Sequence, residues 1–294
     1  MPSLPHTIEV EHPSRESIRV SLARDPLAAP SFASTKATLV LGETRAWVSS
    51  ATDSVFASNT DGTITARADL ETCVADVVAL NTEVSPYDMT SILTLVSSLL
   101  LVRAGRTAIH SGAVVEPVTQ RAWLLTGDSH SGKSTTTANL VRGGWLYLSD
   151  DYVVLSPADG DGVDVEGWPD DFHIDEGWSR GESTGARSVL AESALPSGSR
   201  RSSSPLGGIL FTRISADEPT QIFAIDPAAA LEKLMRQSPW LIADAKAAPV
   251  VLGLLQSAAF CPAGELRLGF DTYREPNRLA GLISDFAVRP RREP

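Results

Sequence analysis

The segment at residues 127–135 constrains the fold of this 294-residue chain more than any other. Its sequence, GDSHSGKST, fits the pattern G-x-x-x-x-G-K-[ST], which forms a loop whose backbone N–H groups surround nucleotide phosphates. An apolar run at 122–126 precedes it, and a helix-forming segment at 134–142 follows it. Such a loop needs a strand before it and a helix after it. The sequence therefore predicts an α/β fold organised around a strand–loop–helix unit.

The loop also predicts its ligand. Lys133 is expected to reach the β- and γ-phosphates, and the Ser134 hydroxyl is expected to bind Mg²⁺. The loop N–H groups and the helix N-terminus add fixed positive potential. We therefore expect ATP and Mg²⁺ as cofactors, although the loop does not distinguish ATP from GTP. The predicted cofactor-binding residues are Gly127, Asp128, Ser129, His130, Ser131, Gly132, Lys133, Ser134 and Thr135. His130 occupies a variable position of the pattern and also fits an exposed loop residue.

Two adjacent acids, Asp150 and Asp151, follow in a segment that is otherwise apolar and is predicted as one strand over 146–155. Neighbouring carboxylates in such a strand are costly unless they face a metal or a functional site. Phosphoryl transfer needs an acidic metal ligand and a group that accepts a proton, and this pair offers both. The alternative interpretation is a surface turn.

His110 lies in an apolar run at 108–115, the predicted strand before the one that enters the glycine-rich loop. A single histidine in such a strand is more often a hydrogen-bonded core residue. Its position relative to the loop and the acid pair makes it a candidate site residue.

Composition excludes several classes of function. The net charge of −11 argues against binding to a nucleic-acid backbone, which needs clustered Lys and Arg. The longest apolar stretch, 91–102, is too short to span a bilayer, and the N-terminus lacks a signal-sequence pattern. The two cysteines, Cys73 and Cys261, are far apart and fit reduced thiols. We expect a cytoplasmic protein without nucleic-acid or membrane partners.

Two regions follow from the pattern of elements. Residues 1–84 are predicted as a β-rich N-terminal subdomain, and residues 85–294 as a catalytic domain that begins with a helix at 85–104. Predicted strands in the first region are 8–10, 18–22, 38–41, 47–50 and 63–66. Beyond the acid pair we predict a hairpin of two strands, at 206–215 and 221–225. Three helices are predicted after it, at 227–236, 241–260 and 275–286.

The segment at 179–205 is rich in Ser, Gly, Arg and Ala, and is predicted as a mobile surface loop. It fits either a lid over the site or a disordered insertion. Its arginines could bind phosphates or an acidic peptide, or could simply be solvated; they are Arg180, Arg187, Arg200 and Arg201. Aromatic and histidine side chains just before it fit a substrate platform or core packing; they are Trp168, Phe172, His173 and Trp178.

Taken as a set, these features resemble the bifunctional HPr kinase/phosphorylase and the related HPr-kinase-like serine kinases, including those that phosphorylate ribosomal peptide precursors. The resemblance rests on His110 before the loop, the loop start at 127–129, the helix end at 142–144, and the acid pair about two dozen residues after Gly127. It implies a P-loop kinase domain of the HPr kinase C-terminal type, a mixed sheet with flanking helices, preceded here by the β-rich subdomain.

The resemblance also implies residue roles. Asp150 would be the catalytic base that accepts the proton of a serine hydroxyl. Asp151 would bind Mg²⁺ together with Ser134, and His110 would position or polarise the acid pair beside the catalytic Lys133. A homo-oligomer is possible by the same resemblance, because the bifunctional enzymes are hexameric.

The chain departs from the bifunctional enzymes where they bind their substrate. At 165–174 it has VEGWPDDFHI instead of a Glu-Ile-Arg-Gly-Leu-Gly type segment, so Glu166 matches the acid and the arginine is missing. The N-terminal region and the C-terminus do not match either. We therefore do not expect HPr to be the substrate, and reverse phosphorolysis is not implied.

The predicted function is transfer of the γ-phosphoryl group of ATP to a hydroxyl, with a serine of a peptide or protein as the first choice of acceptor. Two alternatives stay open. One is a kinase of a small-molecule hydroxyl, and the other is a nucleotide-dependent regulatory or binding module without transfer activity.

Overall fold

The structure is a computed structural model, and it shows that the chain divides into two units. It describes residues 8–11, 17–23, 25–34, 38–80, 84–160, 162–168, 172–175, 187–190, 198–215, 218–269, 271 and 275–288. The first unit is Met1–Thr107 with Pro239–Leu252, and the second is Ala108–Ser238 with Gly253–Pro294. The sequence placed the boundary before the helix at 85–104, whereas the compact units divide after it.

A seven-stranded sheet forms most of the first unit, in the order β1-β2-β7-β6-β5-β4-β3. Only β2 and β7 pair in parallel; the other neighbours are antiparallel. The strands are β1 (Ile8–Glu11), β2 (Ser17–Leu22), β3 (Leu39–Leu41), β4 (Thr44–Ser49), β5 (Ser54–Ser58), β6 (Ile64–Asp69) and β7 (Val74–Ala79). A strand stands at each of the five predicted positions, while β5 and β7 were not predicted.

One long helix, α1 (Pro86–Arg103), packs on this sheet. Its buried side chains include Leu95 and Leu99, and the strands that α1 contacts carry buried small and β-branched residues such as Ile64, Ala66 and Val77. Pro86 at the first helical position fixes the backbone where the missing N–H costs nothing. The predicted helix at 85–104 is confirmed.

A network of four charged side chains also lies in the first unit. Arg103 donates from Nε to Asp244 Oδ2 at 2.7 Å and from Nη2 to Asp53 Oδ1 at 2.9 Å. Lys246 Nζ lies 2.6 Å from Asp53 Oδ2. Asp244 is fully buried, and its Oδ1 also accepts from the Lys246 N–H at 3.0 Å. The predicted helix at 241–260 is wrong in its extent, since the structure has a 3₁₀ turn at Pro239–Ile242 and a helix only at Ala248–Ala259.

This network makes the stability of the first unit depend on pH. Hydrogen bonds from Lys246 and then from Arg103 hold the pKa of Asp53 below its ordinary value. The carboxylate therefore stabilises the fold above its unfolded pKa of about 4, and this contribution is lost as the pH falls through the lower, folded pKa. We expect Asp53→Asn to lower Tm near neutral pH and to flatten the decline of unfolding free energy in acid. Denaturation followed from about pH 7 to about pH 3 measures this, with the exposed Asp25→Asn as control; identical slopes for Asp53→Asn and wild type would contradict it.

The second unit is built on an eight-stranded mixed sheet in the order β10-β8-β11-β12-β15-β17-β16, with β9 pairing with both β15 and β8. A separate two-stranded ribbon joins β13 to β14. The strands are β8 (Thr107–Val115), β9 (Ala122–Thr126), β10 (Leu146–Ser149), β11 (Tyr152–Pro157), β12 (Val163–Gly167), β13 (Phe172–Asp175), β14 (Arg187–Leu190), β15 (Ser203–Ile214), β16 (Gln221–Ala224) and β17 (Ala263–Leu268). The mixed α/β architecture is thus confirmed.

The helices of this unit are α2 (Lys133–Arg142), α3 (Pro227–Arg236) and α5 (Pro276–Ala287). A further helix, α4 (Ala248–Ala259), has residues in both units. A continuous apolar core joins α2 and α5 to the sheet through Trp123, Leu125, Leu140, Leu266 and Ile283. The parallel strands β9, β15 and β17 run through this core, so their carboxyl ends lie at one edge of the sheet.

Three sequence predictions for this unit are wrong. The strand predicted at 146–155 breaks into β10 and β11, with Asp150 and Asp151 in the bend between them. The strands predicted as a hairpin, β15 and β16, are separated by β17, which the sequence did not reveal. The segment at 179–205 is not wholly a loop, since it contains β14 and the start of β15; residues 179–186 and 191–197 lie outside the described residues.

No helix in the described ranges is long and apolar enough to cross a bilayer.

Candidate functional site

The glycine-rich loop joins β9 to α2, as its sequence requires. Gly132 stands at the N-cap of α2 with φ of +96°, a left-handed conformation that glycine adopts without steric cost. A Cβ atom at this position would lie 2.8 Å from Leu268 Cδ1. Gly132 also brings no side chain to cap the helix, so the first N–H groups of α2 face the loop, where an anion could bind.

Lys133 folds back over this loop. Its Nζ donates to the backbone carbonyl of Gly127 at 2.9 Å and of Asp128 at 3.0 Å. The side chain is 6% exposed. The ammonium group is therefore held inside the curve of the loop, where a phosphate could exchange for the two carbonyls.

The acid pair lies at the bend between β10 and β11. The Ser149 hydroxyl donates to the Tyr152 carbonyl across the bend, and the Ser111 N–H on β8 donates to the Asp151 carbonyl at 2.9 Å. These bonds turn a run that looks like one strand into two. Asp150 is 1% exposed, whereas the Asp151 side chain is 47% exposed. The two carboxylates thus occupy very different surroundings.

His110 contacts the exposed member of the pair. Its Nε2 lies 3.0 Å from Asp151 Oδ1. A neutral ring protonated at Nε2 would donate a hydrogen bond to the carboxylate, and a protonated ring would form an ion pair. The structure therefore brings together His110 and Asp151, which the sequence placed at one site.

A glycine on β8 allows the acid pair to approach the helix that follows the loop. A Cβ atom at Gly112 would lie 2.7 Å from Thr137 Oγ1 on α2 and 3.1 Å from the carbonyl of Asp150. Thr137 in turn donates to the Lys133 carbonyl at 3.0 Å. The backbone of the acid bend thus approaches the first turns of α2 at Gly112, and neither Gly112 nor Thr137 was selected by the sequence analysis.

Aromatic side chains extend from the histidine. The rings of His110 and Tyr152 are 5.5 Å apart, and those of Tyr152 and Trp168 are 6.3 Å apart. Trp168 therefore lies beside the Tyr152 ring, and both of its predicted roles stay open. Tyr152 is a neighbour of His110 that its position next to Asp151 could have revealed. Trp178 and Arg180 lie outside the described residues.

Two other candidates are placed by their backbone or side-chain contacts. Glu166 on β12 accepts from the Ser156 hydroxyl at 3.3 Å. Arg200 forms an isolated parallel bridge with Tyr147, so its backbone lies beside β10. Phe172, His173 and Arg187 belong to the ribbon of β13 and β14.

The predicted metal ligands are oxygen donors. The Ser134 hydroxyl lies in the first turn of α2, and the Asp151 carboxylate is accessible. Oxygen ligands suit Mg²⁺, which commonly uses one or two protein ligands and completes its shell with phosphates and water. Within the described residues, no group of three or more histidine, cysteine or acidic side chains is arranged to hold a metal. The donor set thus fits a Mg²⁺ ion that arrives with a nucleotide.

Gly112 leads to a testable prediction. Gly112→Ala is expected to destabilise the fold by about 1–3 kcal/mol, because the added methyl group must displace α2 or the acid bend. Chemical denaturation measures the change. The control is Gly281→Ala on α5, where an added Cβ meets nothing within 4 Å and alanine should stabilise the helix by roughly 0.5–1 kcal/mol. Equal effects of the two substitutions would contradict the tight approach at Gly112.

Comparisons with known proteins show a distant likeness to solved structures. No family model matches the chain, and no curated protein matches it. Among solved structures, the HPr(Ser) kinase/phosphatase from Coxiella burnetii is similar at 11% identity and a TM-score of 0.36, over 61% of this chain and 95% of that chain. Membership of the HPr-kinase-like family therefore stays a prediction from the sequence.

Proposed function

We propose that the second unit binds ATP at residues 127–135 and transfers its γ-phosphoryl group to a hydroxyl, with a serine of a peptide or protein as acceptor. The observation that supports this proposal is that the acid bend lies beside α2, since a Cβ atom at Gly112 would meet both Thr137 Oγ1 and the Asp150 carbonyl. A glycine-rich loop alone would fit simple nucleotide binding. Two acidic residues on a bend beside the helix of the loop fit phosphoryl transfer, which needs a proton acceptor and a metal ligand.

Lys133 would exchange its two carbonyl partners for phosphate oxygens when nucleotide binds. Each bond to a neutral carbonyl would be replaced by a contact with an anionic phosphate oxygen, so that both partners are charged. The loop N–H groups and the N-terminus of α2 would add to the positive potential at the transferred group. These interactions favour the transition state because charge spreads over the phosphoryl oxygens as transfer proceeds.

In the transfer itself, the acceptor oxygen forms a bond to the γ-phosphorus and the bond from that phosphorus to the β–γ bridging oxygen breaks. The proton of the acceptor hydroxyl moves to a carboxylate, and ADP leaves with the bridging oxygen. Bound Mg²⁺ would supply charge neutralisation for the nucleotide phosphates. Ser134 and Asp151 are the residues that would hold it.

The two carboxylates divide the remaining roles. We assign the base to Asp150 and the metal contact to Asp151, with His110 fixing the orientation of Asp151. The alternative assignment exchanges the two acids, and the 47% exposure of the Asp151 side chain favours it. The single variants Asp150→Asn and Asp151→Asn should distinguish the two assignments by how their transfer activity responds to Mg²⁺.

The acceptor class is tested by comparing the labelling of serine peptides with that of small hydroxyl compounds. Wild-type protein would be titrated with Mg²⁺-ATP and Mg²⁺-GTP to measure affinity, and then incubated with γ-labelled ATP, a panel of serine peptides and a panel of hydroxyl metabolites. Label on serine peptides supports the proposal. Label on metabolites alone would replace the peptide acceptor by a small molecule, and nucleotide binding with no label anywhere would overturn the transfer activity.

A further inference from the structure

A buried threonine on β15 contacts the glycine-rich loop. Thr212 Oγ1 lies 2.8 Å from Ser131 Oγ in the loop and donates to the Thr126 carbonyl at 3.3 Å. Because a hydroxyl has one proton, a Thr212 that donates to Thr126 accepts its second bond from Ser131. The residue is 5% exposed. Its hydroxyl thus joins the end of β9 to the middle of the loop.

The start of the loop rests on the same residue. β15 runs parallel to β9 with Phe211 opposite Thr126, so Thr212 lies beside Gly127. A Cβ atom at Gly127 would lie 2.8 Å from the Thr212 carbonyl and 3.1 Å from its Oγ1. The glycine at this position is therefore required by Thr212 as well as by the loop conformation.

The other end of the loop rests on the neighbouring strand ends. A Cβ atom at Gly132 would meet Leu268 Cδ1 on β17 at 2.8 Å and Ile214 Cγ1 on β15 at 3.6 Å. Gly127 thus packs against β15, and Gly132 packs against the carboxyl ends of β15 and β17. Between them, the contact from Ser131 to Thr212 is a directional bond, so it can select one loop conformation.

We infer that Thr212 is a positioning residue, which holds the loop in its phosphate-binding conformation through Ser131. This inference rests on the proposed function only in that the ligand of the loop is taken to be a nucleotide. A loop that is already ordered loses less conformational entropy on binding. Removing the hydroxyl should therefore weaken nucleotide binding, although Thr212 does not touch the reacting atoms.

The first test compares Thr212→Val, which removes the hydroxyl and keeps the shape, with Thr212→Ser, which keeps the hydroxyl. Amide hydrogen exchange of residues 127–132 is measured without ligand, and Thr212→Val is expected to raise the exchange rates roughly five- to tenfold. Thr212→Ser should restore them. The control, Thr119→Val, removes a threonine hydroxyl that bonds Glu116 in the same unit, and should leave the loop rates unchanged.

The second test measures ATP affinity and transfer. Thr212→Val is expected to raise the dissociation constant and KM for ATP by roughly five- to tenfold, with kcat at saturating ATP nearly unchanged. Ser131→Ala should raise loop exchange without ligand to the same degree as Thr212→Val, and the double variant should exchange little faster than either. If Thr212 had a purely structural role, Thr212→Val would lower Tm without a specific rise in loop exchange and in KM for ATP.

The outcomes separate this inference from the proposed function. Loop exchange in Thr212→Val equal to that of the wild type would overturn the positioning role, even if transfer were observed. Wild-type protein that binds no nucleotide would overturn the proposed function, while the exchange rates would still decide the role of Thr212.

Discussion

Lys133→Ala is expected to lower phosphoryl transfer from ATP by roughly 10²–10³-fold, the range seen when one preorganised stabilising group is removed from an active site. The ammonium group now bonds the carbonyls of Gly127 and Asp128 inside the loop. Alanine removes the ammonium group that is proposed to contact the phosphates. The affinity for ATP should fall as well, because the charge interacts with the ground state too. Initial rates of label transfer at several ATP concentrations separate these two effects.

The matched control for this variant is Lys246→Ala, since Lys246 is a half-exposed lysine paired with Asp53 in the first unit. It should change stability and leave transfer by the second unit near the wild-type rate. Tm of Lys133→Ala should be recorded as well, because the side chain is nearly buried. Folded Lys133→Ala with transfer within about twofold of wild type would remove Lys133 from the mechanism.

Asp150→Asn is expected to keep ATP binding and to lower transfer by roughly 10²–10⁴-fold, the usual contribution of a positioned general base. Asparagine preserves the size of this buried side chain and cannot accept the proton from the acceptor hydroxyl. The expected signature is an unchanged dissociation constant for ATP with a lower kcat. Binding titration and single-turnover transfer measure the two quantities separately.

Asp151→Asn provides the comparison within the pair. Because Asp151 is proposed to bind the metal, Asp151→Asn should lose transfer activity that added Mg²⁺ partly restores. The loss in Asp150→Asn should not respond to Mg²⁺. The exposed Asp159→Asn is the control for a distant acid on the same unit. Mg²⁺ rescue of Asp150→Asn, together with a rescue-resistant Asp151→Asn, would exchange the two assignments.

Much of the framework was predictable because the signals are local. The strand before the glycine-rich loop, α2 and α1 follow from apolar runs and from the breakers around them, and all three stand where they were predicted. The mixed α/β class follows from the same signals. Strand β17 was missed, and its insertion between β15 and β16 turned a predicted hairpin into two separated strands.

The bend at the acid pair was not predictable from periodicity. The apolar residues on both sides, Leu148 and Val153 among them, continue the pattern of one strand. What breaks it is a local bond from Ser149 to the Tyr152 carbonyl and a distant one from Ser111. Such contacts depend on how strands meet, and a single sequence does not encode them in its pattern.

Contacts between distant positions account for the rest of the site. Gly112 and Thr212 carry no motif, and their importance arises only because β8 brings Gly112 to α2 and β15 brings Thr212 to the loop. His110 and Asp151 could be expected together because the resemblance to HPr-kinase-like enzymes paired them. The role of Asp150 stays a prediction, and its burial makes the asparagine variant informative.

Phosphoryl transfer itself is tested most directly by incubating wild-type protein and Asp150→Asn with γ-labelled ATP, Mg²⁺ and a lysate of the source cells, with ATP binding measured on the same preparations. The account predicts a discrete labelled protein or peptide with the wild type, its loss in Asp150→Asn, and equal ATP binding by both. Equal ATP binding with no label from either protein would contradict it and would favour a nucleotide-dependent regulatory module.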